Sequence, residues 1–143
     1  MFSEPVVMDE LHSIHTSFVL NFYFQNNITF LMGDSGIGKS FIYSILQETS
    51  VEDERIICIN YLDVHKNIFY IIQNAKKKLV IIDNADSLLT DEMRKWIAFD
   101  RDNQYLIIGR NPSNLMLTKE NLFELIRKEE SGIISFSIKN IFD

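Results

Sequence analysis

The sequence of 143 residues predicts a single α/β domain, built on a mostly parallel five-stranded sheet with helices on both faces. From residue 28 onward, apolar strand-like runs alternate with helix-like runs over short connections. A glycine-rich loop follows the first of these runs, and a later apolar run ends in Asp83. The hydrophobic fraction of 46% is that of a packed globular protein, so the whole chain is assigned to one domain, residues 1–143.

The glycine-rich loop reads Gly33-Asp34-Ser35-Gly36-Ile37-Gly38-Lys39-Ser40 and fits G-x-x-x-x-G-K-[ST]. A strand-like run, residues 28–32, precedes it, and a helix-compatible run, residues 41–48, follows it. Glycines let the backbone turn tightly with its N–H groups pointing inward, and a helix beginning near Gly38 directs its positive dipole end at the same place. The pattern favours a phosphate site over an ordinary glycine turn between strand and helix.

This pattern resembles the Walker A motif, and the chain resembles the P-loop NTPase superfamily. The resemblance implies a three-layer P-loop fold, with ATP and Mg²⁺ as cofactors. Lys39 would reach the β- and γ-phosphates, and the Ser40 hydroxyl would ligate Mg²⁺. The residues implied to contact the nucleotide are Gly33, Asp34, Ser35, Gly36, Ile37, Gly38, Lys39, Ser40 and Phe41.

A second apolar run, Leu79-Val80-Ile81-Ile82, ends in the carboxylate of Asp83. Such a run is typical of a strand buried on both faces at the centre of a parallel sheet. Ligands of open α/β sheets bind at the carboxyl ends of the strands, where Asp83 is expected. The run resembles the Walker B motif, and the resemblance implies that Asp83 holds Mg²⁺ through water.

Two further features resemble the additional-strand (ASCE) ATPases, which include the AAA+ and STAND proteins. One is a strand candidate at residues 56–60, and the other is the polar loop after the strand candidate at residues 105–109. The resemblance implies that Asn111, with Arg110 beside it, senses the γ-phosphate; the alternative is a local Asn-Pro turn. Arg127 occupies the place of an arginine finger, although a cation is favourable in a last helical turn in any case.

The chain also departs from the AAA+ pattern. Asn84 stands where those ATPases usually carry a glutamate, and a neutral amide cannot act as a general base. Asp86 is the candidate substitute; the alternative is that it caps the next turn together with Ser87. The chain stops where AAA+ proteins continue into a helical lid, so no C-terminal lid domain is expected.

The sequence therefore predicts a minimal AAA+-like, ATP-binding protein whose hydrolysis is slow or depends on a partner. Its catalytic candidates are Lys39, Asp83, Asp86 and Asn111, and its metal ligands are Ser40 and Asp83. The alternative is a nucleotide-binding adaptor or regulatory subunit that does not hydrolyse. A protein partner or a second copy of the chain is expected to complete the site.

The remaining elements are predicted from local patterns. Residues 18–24 and 28–32 are predicted to pair as a β-hairpin around Gln25-Asn26-Asn27, and residues 1–16 are expected to be partly flexible. Helices are predicted to begin at Asp63, Thr90 and Thr118, the last with Leu122, Leu125 and Ile126 on one side. A final strand is predicted at residues 133–138.

The net charge of −6 argues against a surface that coats nucleic acid, so any link to nucleic acid is expected to be indirect. The cluster Lys76-Lys77-Lys78 is better explained as the cationic end of a helix. No apolar run approaches the length of a membrane span, and the N-terminus carries acids where a signal peptide is basic. With Cys58 as the only cysteine, a cytoplasmic location is expected.

Overall fold

The computed structural model describes residues 4–32 and 38–143, with the side chain of Ser40 outside the description. The strands in this part of the chain are β1 Glu10–His15, β2 Phe18–Tyr23, β3 Ile28–Met32, β4 Ile56–Ile59, β5 Leu79–Ile82, β6 Gln104–Ile108, β7 Leu122–Glu130 and β8 Ile133–Asn140. The helices are α1 Lys39–Glu52, α2 Ile68–Asn74, α3 Ala85–Leu88 and α4 Asp91–Phe99, with 3₁₀ turns at Tyr61–Asp63 and Lys119–Asn121.

These strands form one mixed sheet in the order β1-β2-β8-β7-β3-β6-β5-β4. The neighbours from β7 to β4 run parallel to one another. The pairs β1–β2 and β7–β8 are antiparallel, whereas β2 and β8 are parallel. The sheet is strongly curled, in the manner of half a barrel.

This architecture shows that the predicted fold class is wrong. The sheet is eight-stranded and mixed, not a mostly parallel five-stranded sheet within a three-layer P-loop NTPase fold. The resemblance to the P-loop NTPase superfamily, and to its additional-strand AAA+ and STAND members, is contradicted with it.

The main local error lies at β7, which was predicted to be a helix. Leu122, Leu125 and Ile126 have helical spacing, but the segment is a strand in which Phe123 and Leu125 are buried on one face. It forms a long hairpin with β8 through a two-residue turn in which Ser131 has φ 53° and Gly132 has φ 81°. Left-handed values at both turn positions match the twist of an antiparallel pair, which favours the hairpin.

The predicted pairing of residues 18–24 with residues 28–32 is also wrong. Strand β2 pairs with β1 and β8, and β3 pairs with β6 and β7. Asn27 of the predicted turn binds distant segments instead: its side chain accepts from the Val6 amide at 3.2 Å and donates to the Asn103 carbonyl at 2.7 Å. These two hydrogen bonds join the N-terminal segment to the amino end of β6.

The core lies on both faces of the sheet. Helix α1 covers one face, where Ile42 and Leu46 pack with Leu31 of β3. Helices α2 and α4 cover the other face, where Ile72 and Ile97 pack with the central strands. The predicted start of α4 is confirmed, because the Thr90 hydroxyl accepts from the Met93 amide at 3.2 Å.

Candidate functional site

The carboxyl ends of β3, β5 and β6 meet at one edge of the sheet because the three strands are parallel. A cleft of about 400 Å³ opens there, and Asp83 directly follows β5 on its wall. The residues that line it are Lys39, Tyr61, Asp83, Asn84, Asp86, Ser87, Ile108, Gly109 and Arg110. Three of the predicted catalytic residues, Lys39, Asp83 and Asp86, are therefore brought together, whereas Asn111 is not on the wall of the cleft.

Helix α1 begins at this edge. Gly38 is its N-cap, with φ 90°, and the Gly38 carbonyl accepts from the Ile42 amide at 3.0 Å. Glycine has no side chain to cap the helix, and the first turn contains no acid. The positive end of the dipole of a 14-residue helix is therefore not balanced by an acidic side chain of its own first turn.

Lys39 is only 7% exposed at the start of this helix. A lysine is rarely buried to this degree unless its charge is compensated nearby. The predicted phosphate contacts from Gly33 to Ile37, and the predicted metal ligand oxygen of Ser40, lie outside the described residues.

Asp83 is partly buried where the chain leaves β5. Its amide continues the sheet by donating to the Ile59 carbonyl at 2.9 Å. Burial raises the pKa of the Asp83 carboxyl above its ordinary value, while a hydrogen bond from the Asn84 backbone and the charge of Lys39 act in the opposite direction. A desolvated carboxylate facing a cleft is a group that a bound cation would stabilise.

Asp86, the predicted substitute base, is engaged with the loop after β6. Its carboxylate accepts from the Arg110 amide at 2.9 Å and from the Asn111 amide at 3.0 Å. Gly109 makes this approach feasible, since a Cβ atom there would lie 2.9 Å from Asp86 Oδ1. In this arrangement Asp86 holds the loop in place, and its role as a base stays a prediction.

Arg94 of α4 contacts both Asp86 and the loop after β6, and the sequence analysis did not identify it. It is 3% exposed, and its Nη1 donates to the carbonyl oxygens of Asn111 and Ser113. Its Nη2 lies 3.6 Å from Asp86 Oδ1. One signal was available: an arginine three residues before Ile97 falls on the apolar face of an amphipathic helix.

The other polar candidates are placed as follows. The Asn111 side chain accepts from the Ser113 amide at 3.0 Å, which is a local turn contact. Arg127 is on strand β7 rather than at a helix end, and it lies 3.5 Å from Glu129. Asn84 has φ 55°, a left-handed conformation that asparagine tolerates far better than glutamate.

The lysine cluster has local partners. Lys76 and Lys77 lie 3.8 and 3.6 Å from the Asp102 carboxylate, and Lys78 Nζ donates to the Glu54 carbonyl. The predicted place of the cluster at the end of a helix is wrong, because α2 ends at Asn74 and has no basic residue in its last turn. The three charges have these local partners instead.

Comparison of the chain with protein-family models, with curated proteins and with solved structures found no match. No family therefore supports the contradicted superfamily assignment. Among residues 4–32 and 38–143, no group of three or more His, Cys, Asp or Glu side chains is arranged to hold a metal. Within the same residues, none of the helices has the length and apolar character needed to cross a membrane.

Proposed function

We propose that the protein binds ATP together with Mg²⁺ at the carboxyl edge of β3, β5 and β6. The observation that carries the proposal is the cleft in which a buried lysine, the start of a long helix and a desolvated carboxylate meet. A positive helix end beside a lysine suits phosphate, and a carboxylate beside phosphate suits a divalent cation.

Each group has a separate task in this proposal. Lys39 and the backbone at the start of α1 bind the phosphate oxygens. Asp83 and Ser40 are the residues that would hold Mg²⁺, which would neutralise phosphate charge when bound. The fit of Asp83 rests on its partial burial at the cleft, where ionisation is disfavoured without a nearby cation.

We propose further that hydrolysis is slow or depends on a partner. Asp86 already accepts two backbone hydrogen bonds, and Asn84 is a neutral amide. The same observations favour the second candidate, a non-hydrolysing nucleotide-binding adaptor or regulatory subunit. Tyr61 on the cleft wall, together with Leu62 and Val64, is exposed by 59–67%, which supports a protein partner at this edge.

The binding test is the thermal stability of the purified protein with ATP, ADP and GTP, with and without Mg²⁺. A ligand that binds only the native state at a hundredfold excess over its Kd stabilises by about 2.7 kcal/mol. The rise in melting temperature with ATP and Mg²⁺ should be lost in Lys39→Ala and kept in Lys95→Ala, whose side chain is exposed on α4. Equal shifts in both variants, or no shift with any nucleotide, would contradict the proposal.

Hydrolysis is tested separately by phosphate release from ATP over hours, with Asp83→Asn as the inactive control. Slow release above that control supports an ATPase, and release equal to the control supports the adaptor. Full-rate hydrolysis by the isolated monomer would contradict the proposal of slow or partner-dependent turnover.

A further inference from the structure

A second opening lies on the α1 side of the sheet, next to the start of that helix. This groove has a volume of about 730 Å³ and is lined by Phe18, Gly38, Phe41, Arg127 and Phe136, together with two aliphatic side chains. We call it the aromatic groove. Its lining comes from three strands, since Phe18 belongs to β2, Arg127 to β7 and Phe136 to β8.

Three phenylalanine rings form one wall of the groove. The Phe41 ring lies 4.8 Å from Phe18 and 5.9 Å from Phe136, measured between ring centroids, at interplanar angles of 61° and 52°. The rings are thus tilted against each other, and Phe41 keeps 41% of its surface exposed. An aromatic ring that stays partly exposed can stack with a flat ligand.

The groove and the cleft are lined by neighbouring residues at the start of α1. Lys39 lines the cleft, whereas its neighbour Gly38 and, one turn on, Phe41 line the groove. Both openings therefore border the start of α1, where the phosphates of the proposed nucleotide lie.

Arg127 gives the groove a polar side. Arg127 pairs with Phe136 in the β7–β8 register, and its side chain is half exposed beside Glu129. A guanidinium has five N–H donors and no acceptor, so it suits the ring nitrogens and carbonyl oxygens at the edge of a base. An exposed ion pair such as that with Glu129 is weak and can be exchanged for such a contact.

We propose that the aromatic groove binds the base of the nucleotide, as a purine ring stacked on Phe41 with its edge toward Arg127. The proposal rests on the function proposed above and adds the part of the ligand that lies outside the phosphate site. A purine is favoured over a pyrimidine because its larger ring system covers more of the exposed phenylalanine surface.

The test compares ATP with inorganic tripolyphosphate, which has the phosphates but no base. Affinities for both are measured by titration calorimetry with Mg²⁺, on the unsubstituted protein, Phe41→Leu and Phe41→Ala. Leucine keeps an apolar side chain against Phe18 and Phe136 while removing the stacking face. Phe99→Ala is the control, since Phe99 is 66% exposed and does not line the groove.

We expect Phe41→Leu to weaken ATP binding about tenfold and to leave tripolyphosphate binding unchanged, as loss of one base–aromatic stack predicts. CTP should bind the unsubstituted protein more weakly than ATP, and this difference should vanish in Phe41→Leu. ATP affinity that is unchanged in both Phe41 variants would overturn the base site. So would an equal loss for ATP and tripolyphosphate, which would mean that Phe41 acts only by positioning α1.

Failure of the two proposals can be told apart. If tripolyphosphate binding depends on Lys39 but the Phe41 variants bind ATP with unchanged affinity, the phosphate site stands and the base site in the groove is overturned. Absence of binding of both ligands to the unsubstituted protein overturns the proposed function, and the base site with it.

Discussion

Replacing Arg94 by methionine should detach the loop after β6 from α4 and lower the free energy of unfolding by about 3 kcal/mol. Arg94 is 3% exposed, and its Nη1 is shared by the carbonyl oxygens of Asn111 and Ser113. Methionine keeps the apolar stem but has no donor. The two carbonyls and Asp86 would then lose their common cationic partner.

The magnitude follows from these contacts. A hydrogen bond from a charged donor contributes about 1.5–3 kcal/mol. The two hydrogen bonds share one nitrogen, and methionine recovers part of the packing. The expected loss is therefore at the lower end of the sum for two such bonds, about 3 kcal/mol. The ion pair adds less than about 1 kcal/mol, because Arg94 Nη2 lies 3.6 Å from Asp86 Oδ1 and the Asp86 side chain is 34% exposed to water.

The assay is equilibrium urea unfolding followed by circular dichroism, with linear extrapolation to water. A loss of this size should also lower the melting temperature by about 10 °C in a domain of this length. The matched control is Lys95→Met, one position along the same helix but exposed, which should change stability by no more than about 0.5 kcal/mol. If Arg94→Met costs no more stability than Lys95→Met, Arg94 does not hold the loop after β6 in place.

Two other predictions concern single side chains, one partly buried and one buried. Asp83→Asn should stabilise the ligand-free protein at neutral pH, because burial raises the pKa of the folded-state carboxyl above 3.8. Protonated Asp83 stabilises the folded protein below the pKa that this carboxyl has in the unfolded chain, and that stability is lost as pH rises through its pKa in the folded protein. The advantage of asparagine should therefore shrink on acidification. Urea unfolding of both proteins across this range checks it, and a less stable variant at neutral pH would contradict it. Tyr43→Phe should leave the free energy of unfolding unchanged or raise it, because the Tyr43 hydroxyl is buried without a hydrogen-bond partner among the described residues. Tyr105→Phe is the control, since its hydroxyl donates to Asp100 at 2.6 Å and its loss should cost about 1–3 kcal/mol; equal costs for the two variants would show that Tyr43 is paired after all.

The sequence predicted the parts of this molecule that depend on neighbours along the chain. Apolar runs identified β3 and β5, turn chemistry identified the start of α4, and α1 begins at Lys39, beside the Gly38 at which a helix was expected to begin. It could not predict pairings between distant segments. The spacing of Leu122, Leu125 and Ile126 fits a helix, the alternation of Phe123 and Leu125 fits a strand, and the hairpin with β8 decides between them.

The same limit applies to the candidate site. Asp86 was identified as a carboxylate near the end of β5, but its partners come from the loop after β6. The burial of Arg94 also depends on that loop, which reaches it from 17 residues further along the chain. Which charges are exposed and which are enclosed is a property of the assembled fold, not of any local window.

The position of β8 has a consequence for how the chain is made. Phe18 of β2 pairs with Ile134 of β8, so among the described strands the β1–β2 hairpin joins the sheet through one that leaves the ribosome much later. Closing so long a loop is entropically costly, and folds dominated by such contacts form slowly. During synthesis the β1–β2 hairpin is therefore made before β8, and the edge of β2 that pairs with β8 stays unpaired. Unpaired strand edges are where strands pair wrongly with other chains. A nascent chain stalled before residue 133 could assemble β3 to β6 around α1, but it would leave β1 and β2 without their place in the sheet.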